Sequence, residues 1–211
     1  MTVRRLLITS GPTREYLDPV RYFSNGSSGQ MGRALATAAI DQGYEVIIVS
    51  GPVSIEYPDD ATVVRVVSTQ QMHDAVMNVW PECIGLIAAA APSDFRPAQY
   101  SKSKIKKSSD SDRLSIEMVS NVDIVAEAGK RKSEGQWTIG FALETDNAIE
   151  NALAKLKRKN TDFIVLNDPT AIDANESSVR IIDGDGEITD SISGSKQVIA
   201  ARILALKPLE Q

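Results

Sequence analysis

The sequence has 211 residues, of which 42% are hydrophobic and 24% are charged, and its formal net charge is −5. This length suits one domain with a substantial core, and the negative charge argues against nonspecific nucleic-acid binding, which needs a broad basic surface. A single cysteine and a single histidine exclude an intramolecular disulfide and an ordinary structural zinc site.

No segment of the sequence predicts a membrane span or a secretion signal. The apolar runs are shorter than the roughly 18 residues that a membrane-spanning helix requires. The N-terminal stretch MTVRRLLITSG lacks the apolar core and the small-residue cleavage site of a secretory signal. We therefore expect a cytoplasmic protein that binds neither membranes nor nucleic acid.

The first half of the chain alternates between predicted strands and helices. In chain order the hydrophobic pattern predicts a strand at 6–9, a loop at 10–28, a helix from about 31 to 42, strands at 45–49 and 62–67, a helix at about 69–79 and a strand at 84–91. Gly43 is the predicted C-terminal cap of the first helix, and Ser68 with Gln71 is a capping box for the second. Because strands and helices alternate, we expect right-handed parallel crossovers.

This alternation breaks at 92–112, which is polar and rich in serine and lysine, and then resumes. A period-two pattern at 114–119 predicts a strand, and we interpret 104–119 as a β-hairpin leaving the main sheet, within an arm at about 95–120. Next come a helix from 123 to about 132, a strand at 137–143, a helix at 147–159, a strand at 163–166, a hairpin at 179–188 and a helix at 195–206. The chain, 1–211, is predicted to be one α/β domain with a Rossmann-like parallel sheet flanked by helices and a protruding β-hairpin arm.

A glycine-rich stretch at 24–32 lies immediately before the first predicted helix. Gly26, Gly29 and Gly32 are spaced by three residues, and the backbone N–H groups and the hydroxyls of Ser27 and Ser28 would surround the helix N-terminus, which is a ready anion site. Arg14, in the same loop, adds a candidate cationic contact. The alternative is a tight glycine turn without a ligand, but loops this long inside compact units are usually functional.

Two motifs that the sequence lacks limit which nucleotide this loop could bind. The sequence has no Gly-Lys-Ser/Thr, which excludes a P-loop. The second predicted strand ends in Val49-Ser50-Gly51, where a dinucleotide-binding fold would place an acid for the ribose hydroxyls, so NAD is disfavoured.

An acid and an aromatic residue follow the strand at 84–91. Ligands of parallel sheets bind outside the carboxyl ends of the strands, which is where Asp94 and Phe95 are predicted to lie. Asp94 could accept a hydrogen bond from a ribose hydroxyl or help to hold a metal ion, and Phe95 could pack on a base. The equally simple alternative is that Asp94 turns the chain and Phe95 is buried in the core.

A cluster of lysines begins ten residues after Asp94. On a strand, Lys104 and Lys106 would lie on one face and Ile105 and Lys107 on the other. Charge runs are usually solvated surface, but an arm in this position could fold over the phosphates of a ligand.

Six segments, in order, resemble phosphopantothenoylcysteine synthetases of coenzyme A biosynthesis: GPTREYLDPVRYFSNGSSGQMG, AAAPSDFRP, KIKK, NVDI, GFALET and KLKRKNTDFIVLND. The resemblance runs from about Leu6 to Asp168 and is to the stand-alone form. It implies a two-step ligation. The carboxylate of 4′-phosphopantothenate attacks the α-phosphate of a nucleoside triphosphate, CTP in bacterial members, and the amine of cysteine then displaces the nucleoside monophosphate. Mg²⁺ or Mn²⁺ would offset the phosphate charge.

The resemblance also assigns roles to residues. Asn25 would hold the acyl-nucleotide intermediate, and Lys104 would serve the phosphates and the conversion of that intermediate. Lys104 lies on the arm that family members exchange across a homodimer. Asp94 is the candidate metal ligand, and in the segment NVDI, Asn121 remains able to cap a helix. Nucleotide contacts are implied for Gly26, Ser27, Ser28, Gly29, Ala90, Asp94, Phe95, Lys104 and Lys107, and substrate contacts for Asn25, Ala90 and Arg14.

Two other functions stay open from the sequence. One is an NAD(P)-dependent reductase or epimerase, although the chain lacks the acid after the second strand and a Tyr-x-x-x-Lys pair. The other is a non-catalytic module that senses a nucleotide. Replacement of Lys104 by alanine would abolish ligation but leave a sensor able to respond.

Overall fold

The structure is a computed structural model that describes residues 4–106, 113–143, 146–167 and 176–206, without the side chains of 176 and 177. The strands are β1 (Arg5–Ser10), β2 (Glu15–Tyr16), β3 (Tyr22–Phe23), β4 (Glu45–Ser50), β5 (Thr62–Arg65), β6 (Gly85–Ala88), β7 (Phe95–Pro97), β8 (Met118–Ser120), β9 (Trp137–Leu143), β10 (Phe163–Asn167), β11 (Glu176–Asp183) and β12 (Ile188–Ser195). The helices are α1 (Gln30–Asp41), α2 (Thr69–Val79), α3 (Ile124–Lys130), α4 (Ala148–Lys159) and α5 (Lys196–Leu204), and a 3-10 turn, Trp80–Glu82, follows α2.

Eight strands form the central sheet in the order β12-β11-β10-β9-β6-β1-β4-β5. The six strands from β10 to β5 in this order are parallel, whereas β11 and β12 extend the sheet as an antiparallel hairpin. The Rossmann-like fold class predicted from the sequence is therefore confirmed.

Helices cover both faces of this sheet, which explains why its central strands β1, β4 and β6 are buried at nearly every position. In β1, Leu6 and Ile8 are fully buried in a cluster with residues of α1 and α5. Leu7 points to the opposite face and packs in a second cluster with residues of α2 and α3. None of the described helices combines the length and the apolarity needed to cross a bilayer.

Local capping signals place most of the helix ends. The Ser68–Gln71 capping box is present at the start of α2, and Gly43 adopts a φ of 84° just beyond α1, both as predicted. The expected cap of α3 by Asn121 is wrong. Asp123 accepts the N–H of Ala126 instead, and the Asn121 side chain donates to the Ser93 carbonyl.

The predicted β-hairpin arm is present, but its paired strands are β7 and β8 and not a hairpin over 104–119. Strands β7 and β8 pair antiparallel as a separate two-stranded sheet, whereas residues 104–106 and 113–117 are not in strands. Lys104 and Lys106 therefore do not alternate with Ile105 across a strand. The physical reason is that the backbone N–H and carbonyl of Ile105 are bonded to Asp18 and Arg21 and are not available to a neighbouring strand.

Candidate functional site

The loops after β1 and β6 meet at the point where the strand order reverses. From β1 the chain continues to β4 on one side of the sheet, and from β6 it continues to β9 on the other, which opens a crevice at the carboxyl ends of these strands. A parallel bridge between Pro12 and Ala91 extends the β1–β6 pairing beyond the two strands. The Ala90 N–H is bonded to the Thr9 hydroxyl (3.3 Å). Ala90 thus lies where the end of β6 meets the end of β1.

The glycine-rich stretch leads into an open helix N-terminus. Gly29 has a φ of 77°, which favours glycine, and α1 has neither a side-chain cap nor an acidic residue in its first turn. Ser27 and Ser28 precede it, and their hydroxyls make no hydrogen bond within the described part of the chain. A Cβ on Gly32 would lie 2.1 Å from the Ser10 hydroxyl oxygen, so glycine is what lets α1 approach the end of β1. The first N–H groups of this helix are therefore available to an anion.

Three hydroxyls connect the ends of β1 and β4 to this glycine turn. The Tyr57 hydroxyl lies 2.8 Å from the hydroxyls of both Ser10 and Ser50, and Ser10 donates to the Gly29 carbonyl (3.3 Å). In one consistent arrangement Ser50 donates to Tyr57, and Tyr57 donates to Ser10. The sequence analysis missed Tyr57, because no local pattern relates a loop tyrosine to two strand ends.

Asn25 spans the crevice from the glycine-rich stretch to the loop after β6. Its side-chain nitrogen donates to the carbonyls of Pro92 (3.0 Å) and Ala91 (3.4 Å). Because both neighbours are acceptors, the nitrogen rather than the oxygen of the amide must face them. Asn25 therefore offers its oxygen to a ligand, and its longer bond, to Ala91, is the one that a ligand acceptor would most easily replace.

A buried network of hydrogen bonds lies beneath the loops that follow β1 and β6. Thr13 and Thr69 share a hydrogen bond between their hydroxyls (2.8 Å), and Thr13 also accepts the N–H of Ser93 (2.9 Å). The buried carboxylate of Glu15 accepts the N–H of Thr69 at the start of α2 (2.8 Å), where the helix dipole favours a negative charge. This network fixes the loop after β1 against the loop after β6.

Asp94 and Phe95 are both exposed at the mouth of the crevice, Phe95 by 53%. The carbonyl of Asp94 accepts the N–H of Asn121 (2.8 Å). The alternative reading of Phe95 as a core residue is thus wrong. In the described ranges no three His, Cys, Asp or Glu side chains group as a metal site.

Lys104 is exposed beside the turn between β2 and β3. Asp18 and Arg21 of that turn bond the backbone of the neighbouring Ile105. Burial by itself would raise the pKa of Asp18, but backbone N–H groups of Val20, Arg21 and Ile105 outweigh it and hold the pKa below its usual value. Lys107, also predicted to contact the nucleotide, lies outside the described residues.

Arg14 directly precedes β2, which forms a two-stranded ribbon with β3. Its guanidinium carbon is 4.6 Å from the ring centroid of Tyr22, and its backbone N–H is bonded to the carbonyl of Val67. The sequence motif that contains Arg14 also contains Asp18 and Arg21, to which the sequence analysis assigned no role. The Asp18-Pro19 pair predicts a turn, but no local pattern predicts that this turn bonds the backbone of Ile105.

Comparisons with known proteins agree on one family. Residues 1–207 match the family model described as the DNA/pantothenate metabolism flavoprotein C-terminal domain. The coenzyme A biosynthesis bifunctional protein CoaBC of Vibrio cholerae is 42% identical over 207 residues, 96% of this chain and 52% of that protein. The chain thus spans about half the length of that curated relative.

Solved structures have the same fold. The crystal structure of the C-terminal domain of CoaBC is 38% identical, covers 96% of this chain and 93% of that one, and has a TM-score of 0.80. A mutant of Cab2 in complex with phosphopantothenate-cysteine has a TM-score of 0.78 over 96% of this chain and 86% of that one, but at 16% identity it shows similarity of fold alone.

Proposed function

The chain belongs to the family of the DNA/pantothenate metabolism flavoprotein C-terminal domain, and on that premise we propose that it is a ligase joining 4′-phosphopantothenate to cysteine through an acyl-nucleotide intermediate. The similarity to CoaBC supports a role in coenzyme A biosynthesis. The fold shared with Cab2, whose mutant was solved with phosphopantothenate-cysteine, supports the nature of the product.

One observation carries the proposal: the uncapped N-terminus of α1 opens onto the crevice that Asn25 spans. A nucleoside triphosphate needs a site for several negative charges, and backbone N–H groups at a helix N-terminus provide one without a basic side chain. The residues Gly26, Ser27, Ser28 and Gly29 would lie along the phosphates. Ala90, Asp94 and Phe95 would line the side of the crevice that takes the nucleoside.

In the first step a carboxylate oxygen of 4′-phosphopantothenate forms a bond to the α-phosphorus, and pyrophosphate leaves with the electron pair of the broken P–O bond. Charge grows on the phosphate oxygens, and the N–H groups of α1 together with Lys104 would offset it. A bound Mg²⁺ or Mn²⁺ supplies Lewis-acid stabilisation of the same charge, and the exposed Asp94 carboxylate fits an ion that phosphates also ligate.

In the second step the amine of cysteine attacks the acyl carbon and loses a proton, and the nucleoside monophosphate leaves. The amide oxygen of Asn25, which has no hydrogen bond within the described residues, would accept from the incoming amine and orient it. Lys104 would stabilise the departing phosphate. We propose CTP as the co-substrate, as in the bacterial synthetases that the sequence resembles.

We also propose that two copies of the chain form a homodimer through the arm. Val20, Tyr100 and Leu114, on the β2–β3 turn and the arm, are each more than half exposed. Large apolar side chains that are exposed in this way are typical of an interaction surface.

The test is pyrophosphate release by the purified protein with Mg²⁺, 4′-phosphopantothenate and cysteine, in parallel reactions with CTP and ATP. We expect release that requires phosphopantothenate and is faster with CTP. Lys104→Ala should lower kcat by at least about a hundredfold, because loss of one charge-stabilising donor typically costs that much. Lys130→Ala, at an exposed helix end in a weak ion pair, is the matched control and should retain wild-type kcat. No release with either nucleotide would overturn the proposal.

The two other functions predict different results. A reductase or epimerase would bind NAD(P), for which the end of β4, Ser50 followed by Gly51, offers no acid. A sensor would bind the nucleotide without turnover. Nucleotide binding without pyrophosphate release would favour the sensor.

A further inference from the structure

A buried carboxylate lies at the centre of the turn between β2 and β3. The side chain of Asp18 is fully buried, and its Oδ1 accepts the backbone N–H groups of Val20 and Arg21, both at 2.8 Å. These two bonds, with the Leu17 N–H bonded to the Arg21 carbonyl (2.9 Å), are enough to define the turn.

The second oxygen of Asp18 has a different partner. Its Oδ2 accepts the N–H of Ile105 (3.1 Å), 87 residues away in the chain, and lies 3.5 Å from the Arg21 guanidinium. Arg21 in turn donates to the Ile105 carbonyl (2.9 Å). One acid–base pair thus satisfies both backbone polar groups of a residue that belongs to no strand.

Ile105 lies between Lys104 and Lys106, so this contact fixes the backbone position from which both lysine side chains extend. A third tie, from the Ser101 N–H to the Leu17 carbonyl (2.9 Å), holds the start of the same segment. Arg21 is four residues before Asn25 along the ribbon, at most about 14 Å even for extended chain. The segment is therefore anchored close to the crevice by the loop that forms one wall of it.

We propose that Asp18, with Arg21, is a positioning residue that holds Lys104 for ligation by clamping the backbone of Ile105. The role of Lys104 in this statement rests on the proposed function. Asp18 touches neither substrate nor nucleotide in this role and acts through the segment it holds.

The variant Asp18→Asn removes the hydrogen bond to Ile105 but keeps the hydrogen bonds that define the β2–β3 turn. An asparagine keeps an oxygen for the N–H groups of Val20 and Arg21, but it places an NH₂ group against the N–H of Ile105, and two donors cannot bond. Arg21→Lys is the second variant, because a lysine keeps the positive charge but loses the planar fork that reaches the Ile105 carbonyl. Asp190→Asn is the matched control, since it removes an Asp–Arg pair with Arg202 at the far edge of the sheet.

The first readout is hydrogen–deuterium exchange of peptides covering the Ile105 amide, which needs no substrate. Asp18→Asn should speed this exchange by about tenfold or more, the effect of one lost bond to a charged acceptor. The second readout is pyrophosphate release with CTP, 4′-phosphopantothenate, cysteine and Mg²⁺. There kcat of Asp18→Asn should fall to within about threefold of Lys104→Ala, and the double variant should be no more than about twofold slower than Lys104→Ala, because the two residues act as a unit.

The outcomes separate the two proposals. If the wild-type protein releases no pyrophosphate, the proposed function and the positioning role are both overturned. The exchange result still shows whether Asp18 holds the backbone of Ile105. Where the wild type ligates, unchanged exchange, unchanged kcat or additive losses in Asp18→Asn each overturn the positioning role. Should Asp18→Asn fail to fold, the same two readouts on Arg21→Lys decide, with Asp190→Asn expected to match the wild type in both.

Discussion

Replacing Tyr57 by phenylalanine tests whether the hydroxyl chain at the ends of β1 and β4 stabilises the glycine turn. The change removes the bonds of the Tyr57 hydroxyl to Ser10 and Ser50. Neither serine is left without a partner, because Ser10 still donates to the Gly29 carbonyl and the hydroxyl hydrogen of Ser50 can turn from Tyr57 to the Gly51 carbonyl. The net loss is therefore one ordinary hydrogen bond without a buried orphan, about 1 kcal/mol in the free energy of unfolding.

Urea denaturation measures this loss, with an unchanged m-value showing that only stability changed. For a chain of this size the same loss lowers Tm by about 2–4 °C. The nucleotide KM should rise more than kcat falls, since the chain supports the glycine turn and not the reacting atoms. Tyr16→Phe, which removes an exposed hydroxyl, is the control and should stay within about 0.5 kcal/mol of wild type. A loss below about 0.5 kcal/mol for Tyr57→Phe would refute the reasoning.

Three further predictions follow from single contacts. Burial raises the pKa of the Cys83 thiol to about 12, so Ellman's reagent at pH 8 should react more than about a hundredfold more slowly with the native than with the unfolded protein; rapid native labelling would contradict this. Gly32→Ala should destabilise by about 1–3 kcal/mol or more in urea denaturation, because its Cβ would overlap the Ser10 hydroxyl, and a neutral result would mean that α1 does not approach β1 so closely. The pKa of Asp18 is lowered in the folded protein, so its carboxylate contributes fully to stability above its unfolded pKa of about 3.9 and loses that contribution as the pH falls through the lower folded value. The Tm difference between wild type and Asp18→Asn should therefore be constant above about pH 5 and shrink below pH 4. A Tm difference that grows on acidification would contradict this prediction.

Much of the fold was predictable because its signals are local. Strand β9 has the predicted bounds, and the Ser68–Gln71 box begins α2 as expected, since periodicity and caps depend on residues within one or two turns. The glycine stretch before α1 was found for the same reason. Where two local signals competed, as between Asn121 and Asp123, the prediction chose wrongly because a distant acceptor, the Ser93 carbonyl, engages Asn121.

The sequence by itself determined the order of the helices and of the strands of the central sheet, and it carries the family motifs, but it predicted 10–28 as a loop without the short strands β2 and β3. Only the tertiary structure decided that Tyr57 joins the ends of two strands, that Asp18 holds the backbone of Ile105, and that the lysine segment is consequently not a strand. The physical reason is the separation in sequence of the interacting residues. Helix caps and periodicity depend on neighbours in the chain, whereas hydrogen bonds between distant segments depend on which strands become adjacent when both faces of the sheet are covered.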